Sequence, residues 1–280
     1  MTNSISKIGL GTVQFGIPYG ISNKHGQTSE PEVSSILKTA RKVGIDTLDT
    51  ANAYGTSEKV LGHNNIADFK IVSKFLRQHP NQNISYILNE SLKNLNVTAL
   101  YGYMAHRPMD VVQNPNLWDE LNMLKQNGTI QKIGFSFNEI FEIEEVLKIG
   151  FNPDIIQVPY NYLDHRFESY MKELKNQGCE IHTRSAFLQG LFFMETQKLN
   201  SFFDEIKPII KELQKTIEDL PTALLQFCIH KPFIDKVIFG VNTNDQFKSN
   251  IQGISNTLIT LPENNTQIND SILIPSKWPK

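Results

Sequence analysis

Short apolar runs rich in β-branched residues recur along the chain, separated by longer segments of mixed polarity. Runs of four to seven residues with this composition are typical of buried strands. We predict eight strands: Ile8–Gly11, Thr47–Thr50, Lys70–Lys74, Leu100–His106, Lys132–Phe137, Ile155–Pro159, Glu180–Arg184 and Lys236–Gly240.

The segments between these runs carry apolar residues three and four positions apart, which is the spacing of amphipathic helices. Four such stripes begin at Val33, Ile84, Leu117 and Ile140. Thr28-Ser29-Glu30-Pro31 precedes the first stripe and Gly44 follows it, as expected at the two ends of a helix. Further helices are predicted at Phe167–Asn176, Phe203–Leu220, Thr222–His230 and Asn244–Ile251.

Strands that alternate with helices predict parallel pairing with right-handed crossovers. Eight such units in 280 residues are the size of a (β/α)₈ TIM barrel, an α/β fold. We therefore expect one domain over residues 1–280, with a C-terminal tail over about 264–280. That tail and the irregular stretch Pro18–Gly26 are candidates to reach over a rim of the barrel. The alternative is a doubly wound open sheet, but Gly9, Gly11 and Gly16 lack the spacing of a dinucleotide-binding turn.

Composition argues against several classes of function. The chain has 27 basic and 29 acidic residues and no basic run interleaved with aromatic residues, so no nucleic-acid partner is expected. No apolar stretch reaches the roughly 20 residues of a membrane span, and the N-terminus shows no signal peptide. Cys179 and Cys228 have no metal-ligand spacing and suit a reducing compartment. We expect a cytoplasmic protein without membrane contact or a metal site.

Three successive strand ends carry ionisable side chains. Asp49, Lys74 and His106 are separated by 25 and 32 residues, about one strand–helix unit each. The carboxyl ends of barrel strands meet at one rim, where barrel enzymes place their active sites. Tyr54 follows Asp49 by five residues in the loop at the same rim. The pattern therefore predicts a carboxylate, a phenol, an amine and an imidazole in one site.

These four side chains suggest proton transfer to a small molecule. An ammonium beside a phenol favours the phenolate, so the phenol becomes a better proton donor. We expect Lys74 to act on Tyr54 in this way and Asp49 to hold Lys74 charged. His106 would hydrogen-bond a carbonyl oxygen of the substrate. Reduction of that carbonyl group also needs a hydride. No side chain supplies one, so a nicotinamide cofactor is implied. Taken singly, each residue also fits a structural ion pair or a loop cap.

The segments around these residues resemble the signature of the aldo-keto reductase family. The resemblance assigns the family's catalytic tetrad to Asp49, Tyr54, Lys74 and His106. It implies a bacterial (β/α)₈ barrel that binds NADP(H) across its mouth and reduces aldehydes and ketones. The matching segments are Asp49–Glu58, Leu61-Gly62, Ile71–Lys74, Ala105–Pro108, Lys132–Ser136, Asp154–Asn161 and Val237–Gly240.

The resemblance also implies cofactor-binding positions. Ser136 and Gln157 match residues that hold the nicotinamide carboxamide. Arg184 replaces an aromatic residue that stacks on the nicotinamide; its guanidinium either stacks there instead or pairs with a rim carboxylate such as Asp154. Asn250 would contact adenine. The full set is Ser136, Gln157, Arg184, Ser185, Leu188, Gly190, Gly240, Gln246 and Asn250.

The segment Gly240–Asn250 resembles the family's clamp for the adenosine phosphate but departs from its pattern. Gly240 and Gln246 stand where many members offer a Lys and an Arg. Lys248 either substitutes for them or is an exposed helix lysine. The resemblance favours NADP(H) and leaves NAD(H) or dual use open.

Loops at the same rim are expected to select the substrate, a small-molecule carbonyl compound. The segment His182–Phe193 is reminiscent of aldo-keto reductases encoded with bacterial surface-polysaccharide genes, which suggests a sugar or keto-sugar. Packing is the expected role of Phe192 and Phe193. The candidate specificity residues are Phe15, Tyr19, His25, Pro108 and Phe187–Met194.

Two other functions remain compatible with the sequence. A regulatory subunit would keep the reductase fold and the cofactor residues but turn over little, and the intact tetrad speaks against it. A metal-dependent barrel hydrolase would use Asp49 and His106, but it needs more His or carboxylate ligands than the other strand ends offer. We expect a monomer or a weak homo-oligomer.

Overall fold

The strands form one sheet that closes on itself. The structure is a computed structural model that describes residues 4–79, 82–264 and 266–279; parts of the expected domain and tail, including 265 and 280, lie outside the described residues. Within these ranges, eight parallel strands pair in chain order and the last pairs with the first. The predicted (β/α)₈ barrel is confirmed. The strands are β1 (Ile8–Gly11), β2 (Thr47–Asp49), β3 (Lys70–Phe75), β4 (Leu100–Ala105), β5 (Ile130–Ser136), β6 (Ile155–Pro159), β7 (Glu180–Arg184) and β8 (Lys236–Gly240).

Helices follow the strands along the chain and pack against the outside of the barrel. They are α1 (Val13–Gly16), α2 (Glu30–Val43), α3 (Ser57–Gly62), α4 (Ile84–Leu95), α5 (Pro108–Val112), α6 (Asn116–Gln126), α7 (Ile140–Ile149), α8 (Glu168–Asn176), α9 (Lys207–Thr216), α10 (Leu220–Ile229), α11 (Asn244–Gln252) and α12 (Asp270–Leu273). Short 3₁₀ segments lie at Ser4–Lys7, Leu188–Phe193, Thr196–Lys198, Ser201–Phe203 and Pro275–Lys277.

The predicted helix Phe203–Leu220 is shorter than expected. In the structure α9 begins at Lys207, with Pro208 in its first turn, and ends at Thr216. The chain then turns before α10, whose Asp219 side chain accepts a hydrogen bond from the Thr222 backbone N–H. A capping carboxylate satisfies a donor that a helix end leaves unpaired, so it favours a new helix at this point.

Two apolar clusters hold the barrel together. The larger one lies between the sheet and the helices and includes the buried stripe of α2, from Val33 to Ala40. A small cluster of Val72, Met104 and Ile155 comes from β3, β4 and β6 and fills the barrel interior. Residues two apart on a strand share a face. Lys74 therefore points inward with Val72.

The amino-terminal end of the barrel is tied by ion pairs between strands. Asp46 pairs with Lys236 and, at 2.9 Å, with Lys70. Burial alone would raise the pKa of Asp46, but hydrogen bonds from these lysines lower it to about 2. Glu180 pairs with Lys132 and lies 2.6 Å from His182 Nε2. Charges at this end stabilise the barrel and leave the opposite rim for chemistry.

The end of the chain packs at the rim beside β5 and β7. Trp278 donates a hydrogen bond to the Ile272 carbonyl at 2.8 Å, and its ring meets the edge of Phe203. Lys277 pairs with Glu139 at 2.7 Å. Within the described ranges, no helix combines the length and the apolar character needed to cross a membrane.

Two glycines allow the first loop to approach the loop that carries Tyr54. A Cβ on Gly16 would overlap the Tyr54 carbonyl oxygen and the Ser57 N–H. Gly55 has a φ of +56°, and a Cβ there would meet the Gly16 carbonyl oxygen at 2.6 Å. This backbone contact fixes Tyr54 relative to β1.

We predict that Gly16→Ala destabilises the protein by roughly 1–3 kcal/mol, the usual cost of overpacking a tight contact. Gly26→Ala is the control: Gly26 has a φ of +74°, but a Cβ there would meet no atom within 4 Å, so the substitution carries only the conformational cost. The free energy of unfolding is measured by urea denaturation. Equal decreases in the free energy of unfolding of the two variants would show that a Cβ at Gly16 is accommodated without overpacking.

Candidate functional site

A buried ion pair forms the base of the site. Lys74 Nζ donates hydrogen bonds to Asp49 Oδ1 at 2.7 Å and to the Thr50 carbonyl oxygen at 2.9 Å. Both charged side chains are almost fully enclosed. Burial alone would lower the pKa of Lys74, but the charge of Asp49 and the neighbouring Tyr54 hydroxyl raise it above its ordinary value. Lys74 is therefore a fixed ammonium inside the barrel.

Tyr54 lies in a turn between β2 and α3 that is fastened from both sides. Its N–H bonds the Ala51 carbonyl at 3.1 Å, and its carbonyl accepts the Ser57 N–H at 3.0 Å. The Ser57 hydroxyl, fully buried, contacts the hydroxyls of Thr12 and Thr50 at 2.9 and 3.1 Å. The turn that carries Tyr54 is therefore fixed by hydrogen bonds to the residues that directly follow β1 and β2.

Tyr54, Lys74 and His106 lie close together at the rim. Lys74 Nζ lies 5.2 Å from the centre of the Tyr54 ring. The rings of Tyr54 and His106 lie edge to face, with centres 5.8 Å apart. The backbone N–H of His106 donates a hydrogen bond to the Phe75 carbonyl oxygen at 2.9 Å, which holds His106 at the end of β4. The four predicted catalytic side chains share one rim.

His106 is a neutral imidazole at physiological pH. Burial, together with the charges of Lys74, Arg184 and Arg107, lowers the pKa of His106 to about 3. A neutral imidazole has one N–H donor and one acceptor nitrogen. Its Nδ1 is buried and has no hydrogen-bond partner among the described residues. His106 can therefore donate one hydrogen bond without carrying a charge.

Gln157 touches the ion pair rather than the cavity. Its Nε2 donates to Asp49 Oδ2 at 2.8 Å, which leaves each carboxylate oxygen of Asp49 with a donor. Its Oε1 is buried without a partner among the described residues. Ser136 pairs with Gln157 in register across β5 and β6 and is also buried. Neither side chain lines the cavity.

One cavity of about 400 Å³ opens at the carboxyl ends of the strands. Asp49, Tyr54 and His106 line it, whereas Lys74 lies enclosed below. Five of the expected cofactor residues line the same cavity: Arg184, Ser185, Gly190, Gly240 and Gln246. The other four do not contribute to its lining: Ser136, Gln157, Leu188 and Asn250.

Arg184 does not pair with Asp154, so that alternative is wrong. Asp154 precedes β6 at the opposite end of the barrel and pairs with Lys125 at 2.6 Å. Arg184 ends β7 and donates instead to the Phe137 carbonyl at 2.9 Å and to Asn138 Oδ1 at 2.6 Å. The guanidinium therefore remains at the cavity wall.

The loop after β7 has an unusual backbone. Ser185, Leu188, Gln189 and Gly190 all have positive φ, between +45° and +86°. Such angles are costly for residues other than glycine and cluster at functional sites. Leu188 turns its side chain into the core, with no exposed surface. Other residues of this loop, among them Ser185, Gln189 and Gly190, line the cavity, whereas Leu188 does not.

The stretch Pro18–Gly26 reaches across to that loop. The Ser22 hydroxyl donates to the Gln189 carbonyl at 3.2 Å, and Gln189 Nε2 donates to the Tyr19 hydroxyl at 3.1 Å. Tyr19 lines the cavity, whereas Phe15 is buried in the core. The expected reach over the rim is present.

At the far end of the cavity the lining is neutral. Gln14 Oε1 occupies the space that a side chain on Gly240 would need, and it has no partner among the described residues. Gln246 Oε1 accepts the Asn242 N–H at 2.8 Å, just before α11. Lys248 pairs with Asp245 on the exposed face of α11. Asn250 is buried.

Sequence reasoning missed some residues that line the cavity. Gln14, Asn138 and Asn242 each follow a strand end by two or three residues, and that position is the signal that would have found them. Phe193 was expected in the core but is 40% exposed and lines the cavity, whereas Phe192 is buried as expected. In the described part of the chain, no cluster of three or more His, Cys, Asp or Glu side chains is arranged to hold a metal ion.

The chain is similar in sequence to several known proteins. The chain is 24% identical to the uncharacterized oxidoreductase YqkF of Bacillus subtilis (strain 168), over 92% of this chain and 90% of that protein. It is 26% identical to a putative voltage-gated potassium channel subunit beta of Schizosaccharomyces pombe, over 78% and 77% of the two chains.

The fold is shared with the holo form of aldo-keto reductase AKR11C1 from Bacillus halodurans. That structure aligns with a TM-score of 0.73 and 24% identity, over 91% of this chain and 88% of the other. The model of the Aldo/keto reductase family matches residues 7–272. Because this match extends over nearly the whole sequence, the chain belongs to the aldo/keto reductase family.

Proposed function

We propose that the protein reduces an aldehyde or ketone to an alcohol with NAD(P)H, with Tyr54 as the proton donor. The observation that carries the proposal is the contact of Tyr54 with a buried, charged Lys74 beside a neutral His106, at one cavity. Family membership makes the chain an oxidoreductase, and its relative YqkF carries that name. A sugar or keto-sugar stays a prediction.

Each side chain has a separate task in this proposal. His106 donates its N–H to the carbonyl oxygen and orients the substrate. Tyr54 gives its hydroxyl proton to that oxygen as negative charge develops there. Lys74 stabilises the phenolate that remains, and Asp49 with Gln157 fixes Lys74 in place. The reduced cofactor supplies the hydride when bound.

The residues present fit a nicotinamide cofactor. Gln157 does not line the cavity, but it bonds Asp49, which does, and its buried Oε1 has no partner among the described residues; that acceptor suits the amide donor of a carboxamide. Gly240 and Gln246 line the cavity beside the start of α11, where the N–H groups of Asn244 and Gln246 are already bonded to Glu32 and Thr243. The resemblance favours NADP(H), and the neutral lining around Gln246 supports use of NAD(H) as well.

The regulatory alternative is supported by one comparison, because a relative is named as a potassium channel subunit. The two functions differ in turnover. Purified protein is mixed with NADPH or NADH and a panel of aldehydes and ketones, and loss of nicotinamide absorbance is followed. Turnover supports the reductase, whereas cofactor binding without turnover of any carbonyl supports the regulatory subunit. A cytoplasmic location and a monomer or weak homo-oligomer stay predictions.

We predict that Tyr54→Phe lowers kcat/KM by at least about 100-fold, the usual contribution of a positioned general acid. The ring and its packing against His106 are kept, so cofactor affinity, measured by fluorescence titration, should change by less than about twofold. Wild-type turnover in this variant would show that another group donates the proton.

The pH dependence follows from His106. Its pKa of about 3 means that the ring is already neutral well below physiological pH, so lowering the pH from about 8 to about 5 should not protonate it. We predict no His106-dependent inflection of kcat/KM over that range. An inflection near the ordinary histidine pKa that disappears in His106→Gln would contradict the neutral ring.

Gln246 offers a test of the cofactor end. We predict that Gln246→Arg tightens NADPH binding by roughly tenfold, because a guanidinium adds charge-assisted hydrogen bonds to a 2′-phosphate. NADH binding should change little. Gln246→Met is the matched control, since it also loses the bond to the Asn242 N–H but adds no charge. Equal NADPH affinities in the two variants, by calorimetry, would place the phosphate elsewhere.

A further inference from the structure

One charge at the cavity has no role in the proposed proton transfer. In the described part of the chain, the cavity lining contains two residues of the types Asp, Glu, Lys and Arg, namely Asp49 and Arg184. Asp49 is neutralised by Lys74 at 2.7 Å. The cavity is therefore left with the positive charge of Arg184.

Among the described residues, Arg184 hydrogen-bonds to neutral groups only. Its three hydrogen bonds within the described residues go to the Phe137 carbonyl, Asn138 Oδ1 and Ser185 Oγ. Arg166 provides the comparison: it is also largely enclosed, and it pairs with the Asp164 carboxylate at 2.9 Å. A partly desolvated cation ordinarily needs such an anion.

Donors remain for a ligand on this wall. A guanidinium has five N–H groups, and the three bonds engage only Nη1 and Nη2, so Nε and one N–H of Nη1 stay available. Asn138 also lines the cavity. Its Oδ1 is occupied by Arg184, which leaves its amide N–H₂ group as a second donor. Two adjacent donor groups, one of them charged, form a site for a planar anion.

We propose that Arg184, with Asn138, binds a carboxylate of the substrate, an inference that rests on the proposed function. The preferred substrates are then aldehydes or ketones that carry a carboxylate, rather than neutral carbonyl compounds. Arg184 lines the same cavity as Tyr54 and His106, so one small oxo acid of suitable length contacts both the proton donor and the guanidinium. Arginine suits this task because its planar donors match the two oxygens of a carboxylate.

The diphosphate of the cofactor is the other source of negative charge for Arg184. The two sources separate experimentally, because loss of a substrate contact changes the discrimination between substrates, whereas loss of a cofactor contact changes cofactor affinity. The probes are 4-formylbenzoate and 4-formylbenzamide, which have nearly the same shape and differ in charge.

Arg184→Gln is compared with Arg107→Gln. Arg107 is exposed, lies outside the cavity and also acts on His106 through its charge, so it controls for the general electrostatic effect. We expect Arg184→Gln to lower the ratio of kcat/KM for the benzoate over the benzamide by about tenfold to 100-fold, mainly through KM. Arg107→Gln should leave that ratio within about twofold of wild type, and the cofactor Kd of Arg184→Gln, by fluorescence titration, should stay within about threefold.

An unchanged ratio of kcat/KM for the benzoate over the benzamide in Arg184→Gln would overturn the proposal. If the cofactor Kd also rises by more than about tenfold, Arg184 is assigned to the cofactor instead. If Arg184→Gln fails to fold, Asn138→Asp supplies an internal carboxylate to the same guanidinium and should lower the ratio in the same way. If wild type reduces neither aldehyde, the ratio is undefined and binding is measured instead, while turnover of the wider carbonyl panel still tests the proposed function. Calorimetry of 4-formylbenzoate with the cofactor-loaded protein then decides: binding lost in the variant supports the carboxylate site, and equal binding overturns it.

Discussion

The buried ion pair between Lys74 and Asp49 is the constraint on which the site depends. Removing one partner of such a pair costs about 3–5 kcal/mol, because the other charge is left unpaired in a medium of low dielectric. Replacing both by apolar residues is often harmless, so stability alone does not explain the pair. Its value lies in the fixed positive charge that it places beneath Tyr54.

The barrel makes this arrangement possible by separating stability from chemistry. The amino-terminal end is tied by Asp46, Glu180 and their lysines, while the interior is packed by Val72, Met104 and Ile155. The opposite rim can therefore hold an enclosed ammonium, a neutral imidazole and an unpaired guanidinium close to one cavity. Burying such charged and polar groups costs folding free energy, which the packing and ion pairs elsewhere in the barrel offset.

The fold and the meeting of the four candidate catalytic side chains were predictable from the sequence, because strand ends in a barrel share a rim whatever the details of packing. Side-chain partners were not. Gln157 bonds Asp49, and Arg184 bonds Asn138 rather than Asp154, because partner choice depends on which end of each strand a residue occupies and on rotamers. The same limit applies to Gln14, whose amide fills the space beside Gly240.

The role of Lys74 is tested most directly by the rate of hydride transfer in a single turnover of Lys74→Met with saturating cofactor. Circular dichroism and a thermal melt establish that the variant is folded, and Asp49→Asn/Lys74→Met removes the leftover charge if it is not. We predict that Lys74→Met oxidises the reduced cofactor at least about 100-fold more slowly than wild type, with cofactor Kd nearly unchanged. A rate within about threefold of wild type would contradict the claim that Lys74 makes Tyr54 a proton donor.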